Sequence, residues 1–309
     1  MLQYFVKKIV FDKKCTKTQA VNSTFHFLLQ GVCWIQTEEE VFPMGLCWKL
    51  TKSRRVLQAG GLATLVCLAA LVISRRGMPV WQQVVTLVLA AVVCLTATRL
   101  VAGMVASACE ESMLEELHLK LQPRAFLRDY ESVVRAQRPD SAGAVTAAVN
   151  LADGYCADGN WQQALQTLVM PSAAIPEPRR SALQALVQRS RCRYCLWGSQ
   201  PEQARKELQA FAGNVEALRA SNPRLADNLQ GDVTLYTTWC GLLRGRPADR
   251  AALEETMRRL PTKLAKLDVC WMLVLASRAA ADPAGEQRYA ALFVQEGGAL
   301  AAAQALRSH

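Results

Sequence analysis

Two long apolar runs separated by a short basic loop constrain this chain more than any other feature. The first run is Val56–Ile73, and the second begins at Val80 and stays uncharged through Thr98. At about 1.5 Å per residue, a helix of either length can cross the ~30 Å hydrocarbon core of a bilayer. Because unpaired backbone groups are costly in lipid, we predict transmembrane helices at 56–73 and 80–108, joined by a loop at 74–79.

Two other interpretations of the apolar runs are weaker. A helical hairpin buried in a large soluble core would also be apolar, but two adjacent runs of spanning length without an acidic residue favour a membrane. A cleaved signal peptide is disfavoured because a second apolar run follows the first. In addition, Ser74-Arg75-Arg76 is a poor cleavage context.

Residues 1–43 differ in composition from the rest of the chain. They contain five Lys and no Arg, whereas residues 110–309 contain four Lys and twenty Arg. The codons of Glu38–Val41 can contain a bacterial ribosome-binding sequence, which would lie shortly before the codon of Met44. We therefore expect the native protein to start at Met44, with a basic cytoplasmic flank at 44–55. The alternative is a short cytoplasmic tail over 1–43.

Basic residues flank the apolar runs unevenly, and this asymmetry predicts an orientation. The loop carries Arg75 and Arg76, whereas five basic residues lie on the side of the termini, namely Lys49, Lys52, Arg54, Arg55 and Arg99. We expect a multi-pass protein of a bacterial inner membrane with both termini in the cytoplasm. The Arg99 side chain would reach the interface from the end of the second span. The alternative is an inverted topology, in which the soluble part is an envelope-assembly factor outside the cytoplasm.

The net charge of +10 resides mostly before residue 110. Residues 1–109 carry 12 Lys and Arg against 4 Asp and Glu, and residues 110–309 carry 24 against 22. Nucleic-acid binding needs a concentrated basic face, so the near-neutral soluble part predicts no nucleic-acid partner. The eleven cysteines are scattered without a disulfide framework, which fits a reducing cytosol.

Helical periodicity runs through the soluble part, without the alternation of β-strands. We predict amphipathic helices over 110–141, where Ser112 and Glu115 form a helix-start pattern. Further turns are predicted at Gly159, Ser199, Gly245 and Asp282. The predicted fold is all-α: a two-helix transmembrane hairpin followed by an irregular α-solenoid over 142–309.

The stretch Ala148–Leu168 has a more specific pattern. A Leu-small pair and an aromatic residue precede a glycine, and an aromatic, a small and a large apolar residue follow it. These positions are Leu151, Ala152, Tyr155, Gly159, Trp161, Ala164 and Leu168. The pattern resembles the core of a tetratricopeptide repeat, in which a small residue lets two antiparallel helices cross closely. The other predicted turns are spaced less regularly than the repeats of that family.

Cys192 and Cys195 form the only CxxC spacing in the chain. A zinc site normally needs a second pair, and a redox CxxC normally begins a helix, whereas this pair lies late in a predicted helix. We interpret both as core residues, with a thiol-redox or metal-binding protein as the alternative. We find no catalytic or cofactor motif, so we expect no enzyme activity and no cofactor.

The remaining patterns bear on partners. Arg189, Arg191 and Arg193 alternate along a predicted helix, and we interpret them as a solvated face, with a basic patch that contacts anionic headgroups as the alternative. A helical solenoid offers a groove for a helix or an extended peptide. The sequence therefore predicts a membrane-anchored helical-repeat scaffold that recruits a protein or peptide to the cytoplasmic face of the bilayer. It does not predict an oligomeric state.

Overall fold

The computed structural model describes residues 48, 60–62, 66, 69 and 79–308. The segment 1–43, the expected start at Met44, the loop 74–78 and most of the first apolar run lie outside the described residues. So do the flanking residues Lys49, Lys52, Arg54 and Arg55. Residues 79–308 contain helices and no strand, in agreement with the predicted all-α class. These helices are α1 Val80–His118, α2 Pro123–Ala136, α3 Ala142–Ala157, α4 Trp161–Thr167, α5 Arg179–Trp197, α6 Pro201–Arg219, α7 Pro223–Leu242, α8 Arg250–Arg259, α9 Lys263–Ala279, α10 Pro283–Glu296 and α11 Ala301–Arg307.

Helix α1 is continuous over 39 residues, but its surroundings change along its length. Among the described residues it is the one helix long and apolar enough to cross a membrane, and none of its most apolar window is buried. Further along, one face is buried at Ala106, Cys109, Met113 and Leu117. Because burial of this face stabilises the helix, α1 continues through the polar residues at 110–112. The predicted helix start at Ser112 is therefore wrong.

Some described residues that precede α1 lie close to this helix, and Trp48 lies in the main core. A Cβ atom built on Gly60 would lie 3.6 Å from Thr98 Cγ2, and one built on Gly61 would lie 2.9 Å from Leu95 Cδ2. Glycine at these positions therefore lets the two segments approach closely. Trp48 is fully buried in the main apolar core of the helical region.

The helices after α1 pack mainly as sequence neighbours. Helix α5 contacts α3, α4, α6 and α7. Helix α9 contacts α7, α8, α10 and α1, and the N–H of Ala299 donates to the Leu121 carbonyl at 3.1 Å. The end of the chain therefore returns to the start of the helical region. A tetratricopeptide-like solenoid stays a prediction.

Turns occur where the sequence predicts them. Gly159, Ser199 and Gly245 have positive φ values of 88°, 52° and 73°. The fourth predicted turn residue, Asp282, caps α10 by accepting the Gly285 N–H at 3.0 Å. Proline begins α2, α6, α7 and α10, where its missing N–H and fixed φ suit the first helical turn. Local sequence therefore accounts for these helix starts and turns.

Candidate partner-binding groove

The arginines of α5 face neighbouring helices. Arg189 Nε donates to Asp232 Oδ2 of α7 at 2.6 Å, and Arg191 donates to both carboxylate oxygens of Glu207 in α6 at 3.0 Å. The interpretation of this run as a solvated face is therefore wrong. Each guanidinium meets a carboxylate from a different helix, so α5 joins its neighbours through charge as well as through apolar contacts.

Arg193 occupies the most buried of these ion pairs. Its Nε and Nη2 donate to the two carboxylate oxygens of Asp268 in α9 at 2.7 and 3.0 Å, and its Nη1 donates to Asp153 in α3 at 2.9 Å. Trp197 Nε1 donates to Asp268 at 3.0 Å, and the Tyr194 hydroxyl donates to Asp153 at 2.8 Å. This network is saturated with internal partners, so we assign it to the stability of the fold.

The two cysteines of the CxxC spacing lie inside the core. Cys192 and Cys195 are fully buried, and Cys192 Sγ lies 3.6 Å from the Ala204 carbonyl oxygen. Burial raises the pKa of the Cys195 thiol to about 11 and that of Cys192 still further. A protonated thiol is a poor nucleophile and a poor metal ligand. Within the described residues, no three His, Cys, Asp or Glu side chains lie close enough to hold a metal ion.

The stretch that resembles a tetratricopeptide repeat forms a helical hairpin of α3 and α4. Ala152 and Ala164 are fully buried in one cluster, and Tyr155, Trp161 and Leu168 pack against it. Leu151 belongs to the main core, and Gly159 makes the turn. The small residues thus lie where the two helices meet. This contact agrees with the physical basis of the pattern but does not establish the family.

A cavity of about 300 Å³ lies beside this hairpin. Trp161, Trp197 and Arg193 line it, and α11 closes it with Ala301, Ala302 and Ala305. The charged group that lines this cavity, the Arg193 guanidinium, is already paired with two carboxylates. The cavity therefore offers mainly apolar contact and little for specific recognition.

A second concave surface, here called the α6–α7 groove, lies between those two helices. Helix α6 contributes Arg205, Leu208, Gln209 and Ala212, and the α7 side contributes Val233, Thr237, Cys240, Gly241, Arg244 and Arg246. The spacing of three to four residues on each side places these residues on one face of each helix. The groove has a volume of about 380 Å³ and combines an apolar floor with three arginines.

The arginines of the α6–α7 groove are incompletely paired. Arg244 Nη2 donates to Glu202 Oε1 at 2.6 Å, but Arg244 Nε is buried and has no hydrogen-bond partner among the described residues. Neither Arg205 nor Arg246 has an acidic group within 4.0 Å in the described part of the chain. Burying a donor without an acceptor costs about 1–3 kcal/mol, so a ligand that supplies one would gain affinity.

Comparisons with protein-family models, curated proteins and solved structures found no match to this chain. The geometry of the described residues is therefore the basis for assigning a function. Sequence reasoning missed the α6–α7 groove. The spacing of Arg205, Leu208 and Ala212 was visible, but the facing residues of α7 could be assigned only after the two helices were paired in space.

Proposed function

We propose that this protein is a membrane-anchored helical scaffold that recruits a protein or peptide partner to the cytoplasmic face of a bacterial inner membrane. The exposed surface of α1 supports the anchor. Large apolar side chains are exposed along it at Val80, Trp81, Val84, Val85, Val88, Leu89, Val92, Val93, Leu95, Leu100, Val101 and Met104. A continuous apolar surface of this extent is unfavourable in water and favourable in lipid.

The burial of Trp48 is the observation that carries this proposal. Trp48 precedes the first apolar run, whereas Met113 and Leu117 follow the second, and all three belong to one core. Residues that share a core lie on the same side of a bilayer, and this shared core supports the proposal of two spans between Trp48 and Met113. The close approach of Gly60 to Thr98 is what two antiparallel spans require.

The side of the membrane follows from the flanking charges. Arg99 is exposed on α1 directly after Thr98, at the position expected for a residue at the interface. Together with the four basic residues before the first run, it favours a cytoplasmic location for the helical domain. Helix α1 runs from the proposed anchor into the core of the helical region without an intervening linker.

Fusion reporters and site-specific crosslinking test this function. We expect a fluorescent protein fused at the C-terminus to fluoresce, and the chain to remain in membranes after an alkaline carbonate wash. A photo-crosslinking residue at Gln209, inside the groove, should give a discrete adduct in cells, and the same residue at the exposed Gln287 of α10 should not.

Two results would overturn the proposal. Activity of an alkaline phosphatase fusion at the C-terminus would place the helical domain outside the cytoplasm and favour an envelope-assembly factor. Release of the chain from membranes by the carbonate wash would contradict the proposed transmembrane anchor.

A further inference from the structure

We infer that the α6–α7 groove binds an acidic peptide that carries a large apolar side chain. This inference rests on the proposed scaffold function and supplies the chemistry of the partner. Arg205, Arg244 and Arg246 would bind the carboxylate, and Leu208, Ala212 and Val233 would contact the apolar side chain. The carboxylate can belong to an Asp or Glu side chain or to a peptide C-terminus.

The packing register of the hairpin separates a cationic end of the groove from an apolar end. Cys240 Sγ lies 3.5 Å from the Pro201 carbonyl oxygen, and Arg244 pairs with Glu202, so the start of α6 lies beside the end of α7. This register places Arg205 at the same end as Arg244 and Arg246. Leu208, Ala212 and Val233 then follow toward the other end. Along α6 the two ends are about 10 Å apart, because seven residues separate Arg205 from Ala212.

The unused edge of Arg244 indicates a carboxylate as the ligand. Arg191 and Arg193 each use Nε and Nη2 together to hold both oxygens of one carboxylate. In Arg244 the same edge is half used, because Nη2 pairs with Glu202 while Nε has no partner among the described residues. Because Nε is buried, a partner carboxylate binds this edge bidentately only when it displaces Glu202 and the Arg244 side chain, which is 24% exposed, turns toward the groove.

The pair that this partner would replace is weak. The Glu202 side chain is 77% exposed, so its interaction with Arg244 is screened by water and contributes little. Arg205 and Arg246 add positive charge that the described acidic groups do not neutralise within ion-pair distance. An acidic partner therefore gains from all three arginines without breaking a strong internal contact.

The lining of the groove disfavours other anionic partners. It contains no aromatic ring on which a nucleic-acid base can stack. A bilayer surface would reach the protruding Arg205, but it would leave the apolar floor between the helices uncovered. A peptide can supply both a carboxylate and an apolar side chain at the required separation.

The test uses the full chain in nanodiscs of zwitterionic phosphatidylcholine. A random peptide library displayed on phage is selected on these nanodiscs, and the affinity of an enriched synthetic peptide is measured. We expect enriched peptides to contain Asp, Glu or a free C-terminus near a large apolar residue. Arg244→Lys keeps the charge but loses the planar fork, and Arg246→Glu reverses a charge. Each should weaken binding of the peptide about tenfold or more.

Arg224→Glu is the matched control. Arg224 lies on α7, is exposed, and has no acidic partner within ion-pair distance in the described structure, but it is outside the groove. Its reversal should leave the affinity unchanged. Equal weakening by Arg224→Glu, enriched peptides that have neither an acidic side chain nor a free C-terminal carboxylate, or displacement of the peptide by phosphatidylglycerol vesicles would overturn the inference.

These results remain separable from those for the scaffold function. An adduct at Gln209 that persists in the Arg244→Lys and Arg246→Glu variants would contradict the acidic peptide and leave the scaffold intact. Release of the chain by the carbonate wash would overturn the function itself.

Discussion

Replacement of Asp268 by Asn should destabilise the helical region strongly. Asp268 is 6% exposed and accepts three hydrogen bonds, two from Arg193 and one from Trp197 Nε1. Asn preserves the shape of the side chain but removes its charge, and its amide would direct N–H groups toward the guanidinium. Arg193 would then keep only the carboxylate of Asp153.

The size of the effect follows from burial. Removing one partner of a buried ion pair costs about 3–5 kcal/mol, because the remaining charge loses its compensation. Asp153 compensates part of the Arg193 charge, so we expect a loss of about 3 kcal/mol in the free energy of unfolding, at the lower end of that range. For a domain of this size, that loss lowers Tm by about 6–12 °C.

Thermal unfolding of the full chain in detergent, followed by tryptophan fluorescence, measures this change. Trp197 belongs to the Asp268 network, and its ring centroid lies 5.4 Å from that of Trp239 and 6.3 Å from that of Trp271. Its fluorescence therefore responds to packing around Asp268. The double variant Arg193→Met, Asp268→Leu should lose clearly less unfolding free energy than the sum of the losses in the two single variants. Additive losses, or a loss below about 1 kcal/mol for Asp268→Asn, would refute the assignment of this network to stability.

Three further predictions concern pH, thiol reactivity and backbone strain. Burial lowers the pKa of His118 below its ordinary 6.5, so protonation favours the unfolded chain. Stability measured by denaturant should therefore fall as the pH drops below 6.5, and His118→Gln should reduce that fall. Cys192 and Cys195 should resist maleimide at neutral pH until the chain is denatured, as mass spectrometry of peptides can show. Gly159→Ala should lower the unfolding free energy by about 1–2 kcal/mol, whereas Gly213→Ala should raise it by about 0.5–1 kcal/mol.

Controls make these three predictions decisive. Gly159 has a φ of +88°, and a Cβ there would lie 2.9 Å from Ala301, whereas Gly213 is helical with open space around it. Equal effects of the two substitutions would contradict the assignment of strain to the turn. An unchanged pH dependence in His118→Gln would show that other groups titrate. Rapid labelling of Cys195 in the folded protein would contradict its burial.

Local features of the fold were predictable from the sequence. The turns at Gly159, Ser199 and Gly245 need residues that tolerate or favour special backbone conformations, and proline marks the starts of several helices. The burial of Ala152 and Ala164 followed from the need for small residues where helices cross. These features depend on residues close together in the chain.

Long-range pairing was not predictable in the same way. Arg193 lies 75 residues from Asp268 and 40 residues from Asp153, so its periodicity in α5 gave no indication of either partner. The same limit hid the α6–α7 groove, whose two faces become one surface only after the helices pack. The polar residues at 110–112 suggested a new helix, but the buried stripe from Cys109 to Leu117 maintains the old one.

The unbroken course of α1 sets a length scale for the encounter with a partner. From Arg99 to His118 the helix rises about 28 Å, at about 1.5 Å per residue. A flexible tether would let a binding site search a hemisphere around its anchor, whereas a stiff helix confines it to a thin layer parallel to the bilayer. In the proposed placement, the length of α1 therefore limits how far the helical domain lies from the bilayer. A membrane-bound partner would gain a high effective concentration only if its own binding segment lies in the same layer as the groove.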